Sequence, residues 1–158
     1  MKPWDIPNLK RTFEIALRAR SLGNHPFGAL LADENGQVLM EAENTVVTEK
    51  DVTGHAETNL MRKASSQFDP EFLAKCTIYA STEPCPMCVG AIFWANVRRV
   101  VFGLSEGKLY QISAAPGSGD VFYYPCAELF KKGKKKIEVI GPMLEEEALQ
   151  GHEGFWHL

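Results

Sequence analysis

With 158 residues, 45% of them hydrophobic and 23% charged, the chain has the make-up of one globular domain over residues 1–158, which excludes a disordered, fibrous or repeat protein. The 17 Lys and Arg against 20 Asp and Glu leave a formal net charge of −3, a balance that does not favour a nucleic-acid partner. No apolar run approaches the ~20 residues that a membrane-crossing helix needs, so no membrane partner is expected.

The opening segment Met1-Lys2-Pro3-Trp4-Asp5-Ile6-Pro7-Asn8 has two prolines and an acid where a secretory signal needs an unbroken apolar stretch. A cytoplasmic protein is expected. Leu9, Phe13, Ala16, Leu17 and Arg20 recur at helical spacing, with Arg11, Glu14 and Arg18 on the other face. They predict an amphipathic helix from Asn8 to the stop at Gly23-Asn24. Residues 27–32 and 38–42 are apolar runs separated by Asp33-Glu34-Asn35-Gly36, a strong hairpin signal. A polar stretch then leads to a second helix over residues 55–67, with Ala56, Leu60, Met61 and Ala64 on one face, broken at Asp69-Pro70.

Residues 76–81 predict a strand, 86–96 a helix with Pro at its first position, and 98–104 another strand. A strand-helix-strand order implies parallel pairing, so helices should pack on a mixed sheet. Residues 105–120, with Ala115-Pro116-Gly117-Ser118-Gly119, read as a loop at the rim of a site. The run Lys131-Lys132-Gly133-Lys134-Lys135-Lys136 reads as a solvated turn, 136–140 as a last strand and 145–156 as a terminal helix weakened by Gly151 and Gly154.

Two segments carry the chemistry, Thr53-Gly54-His55-Ala56-Glu57 and Glu83-Pro84-Cys85-Pro86-Met87-Cys88. Cys85 and Cys88 stand at i and i+3 at a helix start, on one face, where the positive helix end favours thiolates. With His55 they give two sulfurs and one nitrogen to an ion that prefers four ligands, leaving a position open, as catalytic zinc does. One Zn2+ per subunit is expected. Glu57, two residues from His55, is placed to carry protons at that open position. A lone Cys-x-x-Cys also suits a redox pair or a structural zinc knuckle, but no second Cys-x-x-Cys completes a four-sulfur site. Cys76 reads as a small core residue, and Cys126 falls in a segment that periodicity does not place; neither is assigned to the metal.

His55-Ala56-Glu57 combined with Pro84-Cys85-Pro86-Met87-Cys88 resembles the signature of zinc-dependent base deaminases, and residues 9–104 are similar to the cytidine deaminase superfamily. Pro26-Phe27-Gly28-Ala29, Glu43-Asn44 and Ala91-Ile92-Phe93-Trp94-Ala95 resemble most its branch of guanine deaminases and tRNA adenosine deaminases. The resemblance implies a three-layer α/β/α fold on a central mixed five-stranded sheet, zinc on His55, Cys85 and Cys88, and Glu57 as general acid and base. It also implies that Asn44 hydrogen-bonds the base, that the Ala56 N–H meets a ring carbonyl, that Phe27 lines the pocket, that Trp94 packs on the base and that Asp120 reads a guanine amide. Taken alone, Phe27 suits strand core, Trp94 ordinary packing and Asn44 a turn cap.

Phe155 and Trp156, in the tail His152-Glu153-Gly154-Phe155-Trp156-His157-Leu158, suit an aromatic lid over the substrate, a feature that guanine deaminases often exchange between subunits, or plain dimer packing. The expected function is hydrolytic deamination of a free purine-type base or nucleoside, guanine or guanosine first, by a homodimer. The alternatives are a tRNA adenosine-to-inosine deaminase and a cytosine or cytidine deaminase. A catalytically idle zinc module is opposed by Glu57, since a structural site has no use for an acid beside the metal.

Overall fold

The computed structural model describes residues 1–114 and 120–156; Ala115-Pro116-Gly117-Ser118-Gly119 of the expected rim loop and His157-Leu158 of the tail lie outside the described residues. A five-stranded sheet in the order β2-β1-β3-β4-β5 organises the described residues. β1 (Gly28–Ala32) pairs antiparallel with β2 (Val38–Glu43) and with β3 (Thr77–Thr82). β3 runs parallel to β4 (Arg99–Leu104), and β4 parallel to β5 (Glu138–Ile140). The hairpin between β1 and β2 closes where expected, with Asp33 Oδ1 accepting from the N–H of Asn35 and of Gln37. Gly36 adopts φ +83 there, and the Trp4 ring lies where a Cβ would stand.

Alternation along the strands splits the core into two layers. Ala29 and Leu31, Ile78 and Ala80, and Val100 and Phe102 pack on the side of α2 (Ala56–Gln67) and α4 (Pro86–Ala95). Leu30 and Ala32, Tyr79 and Val101 pack on the opposite side, under α1 (Asp5–Ser21). The mixed sheet with helices on both faces is the α/β fold that the resemblance implies.

Several boundaries differ from expectation. α1 begins at Asp5, with Pro7 inside its first turn, where a missing N–H costs nothing. Asn8 is therefore inside the helix, its amide donating to Gly36 O at 3.1 Å, while Leu17 is exposed. Pro70 ends α2 and begins the short α3 (Pro70–Leu73). The expected loop after β4 opens with a helix, α5 (Glu106–Ser113), because Ser105 caps it by accepting from Lys108 N–H and Glu106 sits in its first turn. Cys126, unplaced by pattern, starts α6 (Cys126–Phe130), and α7 (Glu145–Gln150) stops before Gly151 rather than reaching residue 156. Among the described residues, no helix is long and apolar enough to cross a membrane.

A buried ion pair fastens α1 to the sheet. Arg99 donates to both Asp5 oxygens at 2.8 and 2.7 Å, and Tyr79 OH donates to Asp5 Oδ1 at 2.6 Å. Burial opposes ionisation of Asp5, but the hydrogen bonds from Arg99, the Lys2 N–H and Tyr79 outweigh it and hold the carboxyl well below its usual range. Asp5→Ala, which strands the Arg99 guanidinium, is expected to destabilise the fold by about 3–5 kcal/mol in denaturant titration. A carboxyl that ionises more readily folded than unfolded stabilises fully at neutral pH and loses that contribution as pH falls below about 4. The mutational cost should accordingly shrink in acid.

Candidate metal centre and substrate cavity

Register fixes where the site lies. Gly28 pairs with Glu43, Ala29 with Ala80 and Thr82 with Leu104, so β2, β3 and β4 all end along one edge of the sheet. The segments leaving that edge carry His55, Cys85 and Glu106 respectively. His55 and Cys85 occupy the N-cap positions of α2 and α4, and Cys88 lies in the first turn of α4. The Sγ atoms of Cys85 and Cys88 are 3.7 Å apart, and His55 Nδ1 is 3.5 and 3.4 Å from them. That separation is no disulfide, and all four cysteines are free.

Tetrahedral zinc with Zn–S near 2.3 Å and Zn–N near 2.0–2.1 Å spaces its ligand atoms by about 3.8 and 3.6 Å. The three side chains fit such an ion. Zinc bound there supplies Lewis acidity and activates water near neutral pH. Glu57, in the first turn of α2 and 7% exposed, lines the same cavity; burial pushes its carboxyl up to about 7 although the charge of His55 pulls the other way.

The cavity measures about 580 Å³. Of the candidates read from sequence, Phe27, Asp120 and Trp156 line it together with His55, Glu57 and Cys85. Asn44 is buried and absent from its described lining; its Oδ1 accepts from Val46 N–H at 3.0 Å and its N–H donates to Phe27 O at 3.1 Å, so here it closes a turn. Ala56 is fully buried at the start of α2. Trp94 is 80% exposed at the end of α4, with the Lys135 ammonium 5.8 Å from its ring, and does not line this chain's own cavity.

Residues 151–156 fold back on their own chain. Arg20 holds them by donating to Gly151 O at 3.0 Å and Glu153 O at 2.6 Å. Trp156 Nε1 donates to His152 Nδ1 at 3.0 Å, and its ring lies 5.6 Å from His25 and 6.3 Å from Phe27. Burial pushes His152 down to about 4, so its Nδ1 stays neutral and accepts. His25, Thr82, Glu106 and Tyr110 also line the cavity and escaped sequence reasoning. The available signal for Glu106 was its place just past the carboxyl end of a parallel strand, where α/β sheets bind ligands.

The family described as the cytidine and deoxycytidylate deaminase zinc-binding region matches residues 3–104. A probable cytosine deaminase of Schizosaccharomyces pombe is 41% identical over 96% of this chain and 92% of its own length. The guanine deaminase of Bacillus subtilis is 37% identical over 73% of this chain and 72% of its own length. Among solved structures, a guanine deaminase from Nitrosomonas europaea superposes with a TM-score of 0.78 at 22% identity, covering 95% of this chain and 82% of that one.

Removing a ligand tests the metal assignment. Cys88→Ala is expected to lose bound zinc and lower the melting temperature, because the ligands join α2 to α4. Elemental analysis finding one zinc per chain in that variant would place the ion elsewhere.

Proposed function

This chain belongs to the cytidine and deoxycytidylate deaminase family and is a zinc-dependent deaminase, and from that premise we propose that its substrate is a free nucleobase, a guanine-type purine first. The observation that carries the proposal is the cavity itself. The chain's own Trp156 lines it beside His55, Glu57 and Cys85, and none of its described lining residues is Lys or Arg. A polyanion such as the tRNA anticodon arm needs phosphate contacts that this wall does not offer. The lysine run lies elsewhere, with Lys131 paired to Glu128 at 3.2 Å and Lys135 donating to Phe93 O at 2.7 Å.

The net reaction exchanges a ring C–NH2 and water for a ring C=O and ammonia. Glu57 takes one proton from the attacking water and gives it to the ring nitrogen beside the reacting carbon; it then takes the second proton from the hydroxyl now on that carbon and passes it to the amine, which leaves as ammonia as the C–N bond breaks and the C=O forms. Phe27 and Trp156 flank a flat heterocycle and exclude water, and Asp120 is placed to meet its polar edge. A second reading, cytosine, is favoured by the Schizosaccharomyces pombe relative, which matches nearly the whole chain. The exposed Trp94, set edge-on against Phe93, supports a homodimer in which a second copy covers α4, and the four free thiols suit a cytoplasmic location.

Ammonia release measured across guanine, guanosine, adenosine, cytosine and cytidine tests the proposal. Turnover of guanine above the rest is expected; turnover confined to cytosine would favour the second reading, and turnover confined to nucleosides would sink the free-base assignment. Glu57→Gln should retain zinc yet lose ~10²–10⁴-fold in kcat. Deleting residues 154–158 should lower kcat/KM far more than the melting temperature, since it uncovers the cavity while leaving both core layers intact.

A further inference from the structure

Arg20, in the last turn of α1, turns its guanidinium to main-chain carbonyls. It donates to Gly151 O at 3.0 Å and to Glu153 O at 2.6 Å, and it lies 5.5 Å from the centre of the Phe155 ring. Among the described residues it forms no ion pair, whereas Arg11 and Arg18 of the same helix pair with Glu41 and Glu43. An arginine bonded to two carbonyls in this way fixes a backbone path, whatever side chains that path carries.

A second fastening sits on that path. His152, 5% exposed, accepts from Trp156 Nε1 at 3.0 Å, and the two rings lie within 15° of parallel. His152 also meets the Phe27 ring edge-on at 5.5 Å, and its carbonyl accepts from Phe155 N–H at 3.1 Å. Phe27 and Trp156 line the cavity, whereas His152 is not among its described lining residues, so His152 acts there only through the rings it touches. The apolar contacts of Trp156, to a small cluster of Leu104, Leu109 and Ala148, are not directional. The hydrogen bond to Nδ1 is, and it sets which way the indole faces.

We propose that Arg20 and His152 are positioning residues for Trp156: Arg20 fixes the backbone path of residues 151–155, and His152 fixes the orientation of the indole, so that this wall of the cavity is in place before a substrate arrives. A side chain ordered in advance loses less freedom when the ligand binds, which strengthens binding without touching the reacting atoms. The effect therefore falls on KM, while proton transfer at Glu57 proceeds as before. The inference rests on the reading of Trp156 as a cover over the substrate and assigns what holds that cover; it does not depend on which base the cavity takes.

The test compares the zinc-loaded wild type with His152→Phe, His152→Asn and Arg20→Met, on whichever of guanine, guanosine, adenosine, cytosine and cytidine the wild type turns over fastest. Zinc content, melting temperature and amide hydrogen exchange of residues 151–156 are followed in parallel. His152→Phe keeps an aromatic ring and removes the acceptor; it is expected to raise KM ~10-fold with kcat within about 3-fold and zinc content unchanged. His152→Asn, whose Oδ1 can accept where Nδ1 did, should return KM to within about 3-fold of the wild type. Arg20→Met should raise KM likewise and speed exchange of the Phe155 N–H while the sheet keeps its protection. Unchanged KM in both His152→Phe and Arg20→Met would overturn the proposal, and if deleting residues 154–158 still lowered kcat/KM, the cover would stand without this clamp. A lower melting temperature with KM unmoved would show that the two residues serve the fold alone, which also overturns it. A deletion that left kcat/KM intact would remove the cover and this inference together.

Discussion

The Glu83 carboxylate, 7% exposed, ties together segments that share no sequence neighbourhood. One oxygen accepts from Glu106 N–H at 3.0 Å and the other from Cys126 N–H at 2.8 Å, while Glu83 N–H donates to Leu104 O at 2.7 Å. The residue that leads from β3 into the metal-binding turn therefore also anchors the starts of α5 and α6. Charge-assisted bonds to helix starts are among the stronger local interactions available to a carboxylate. Through them the metal ligands, the cavity wall and the last third of the chain are held to one reference point.

Stability and chemistry are divided between the two faces of the sheet. On one, α1 presses so close to β1 that a Cβ at Gly28 would lie 2.6 Å from Thr12 O and 2.7 Å from Ala16 N. The Asp5–Arg99 pair adds a buried polar clamp there. On the other, α2 and α4 pack side by side with their starts at the strand-terminal edge, which brings an imidazole and two sulfurs within 4.8 Å of one another. A rigid face behind a reactive one is what catalytic geometry requires, since small misplacements of a ligand or acid are costly.

The parts legible in the sequence were those set by short-range rules. Asn35-Gly36 marked a hairpin because only a small set of residues tolerates that turn, and Cys85-Pro86-Met87-Cys88 marked both a helix start and a ligand pair because one spacing serves both. Long-range pairing was not legible. Nothing local in Glu106 shows that Leu104 lies in register with Thr82, or that Arg20 reaches the carbonyls of Gly151 and Glu153. α5 was passed over because Pro116 and the glycines around it dominated the segment, although the Ser105 cap preceded them. Trp94 and Asn44 show the converse: family likeness gave them a place at the substrate, whereas this single chain puts one on the outside and the other in a turn.

The three tryptophans stand in three different surroundings. Trp4 packs against the hairpin glycine, Trp94 lies open to solvent, and Trp156 is stacked on His152 at the cavity. Indole emission depends on local polarity, so the molecule carries three distinct optical labels: a half-buried one at the hairpin, an exposed one at the end of α4, and one lining the cavity. A ligand entering the cavity changes the surroundings of one indole, Trp156, with no dye attached.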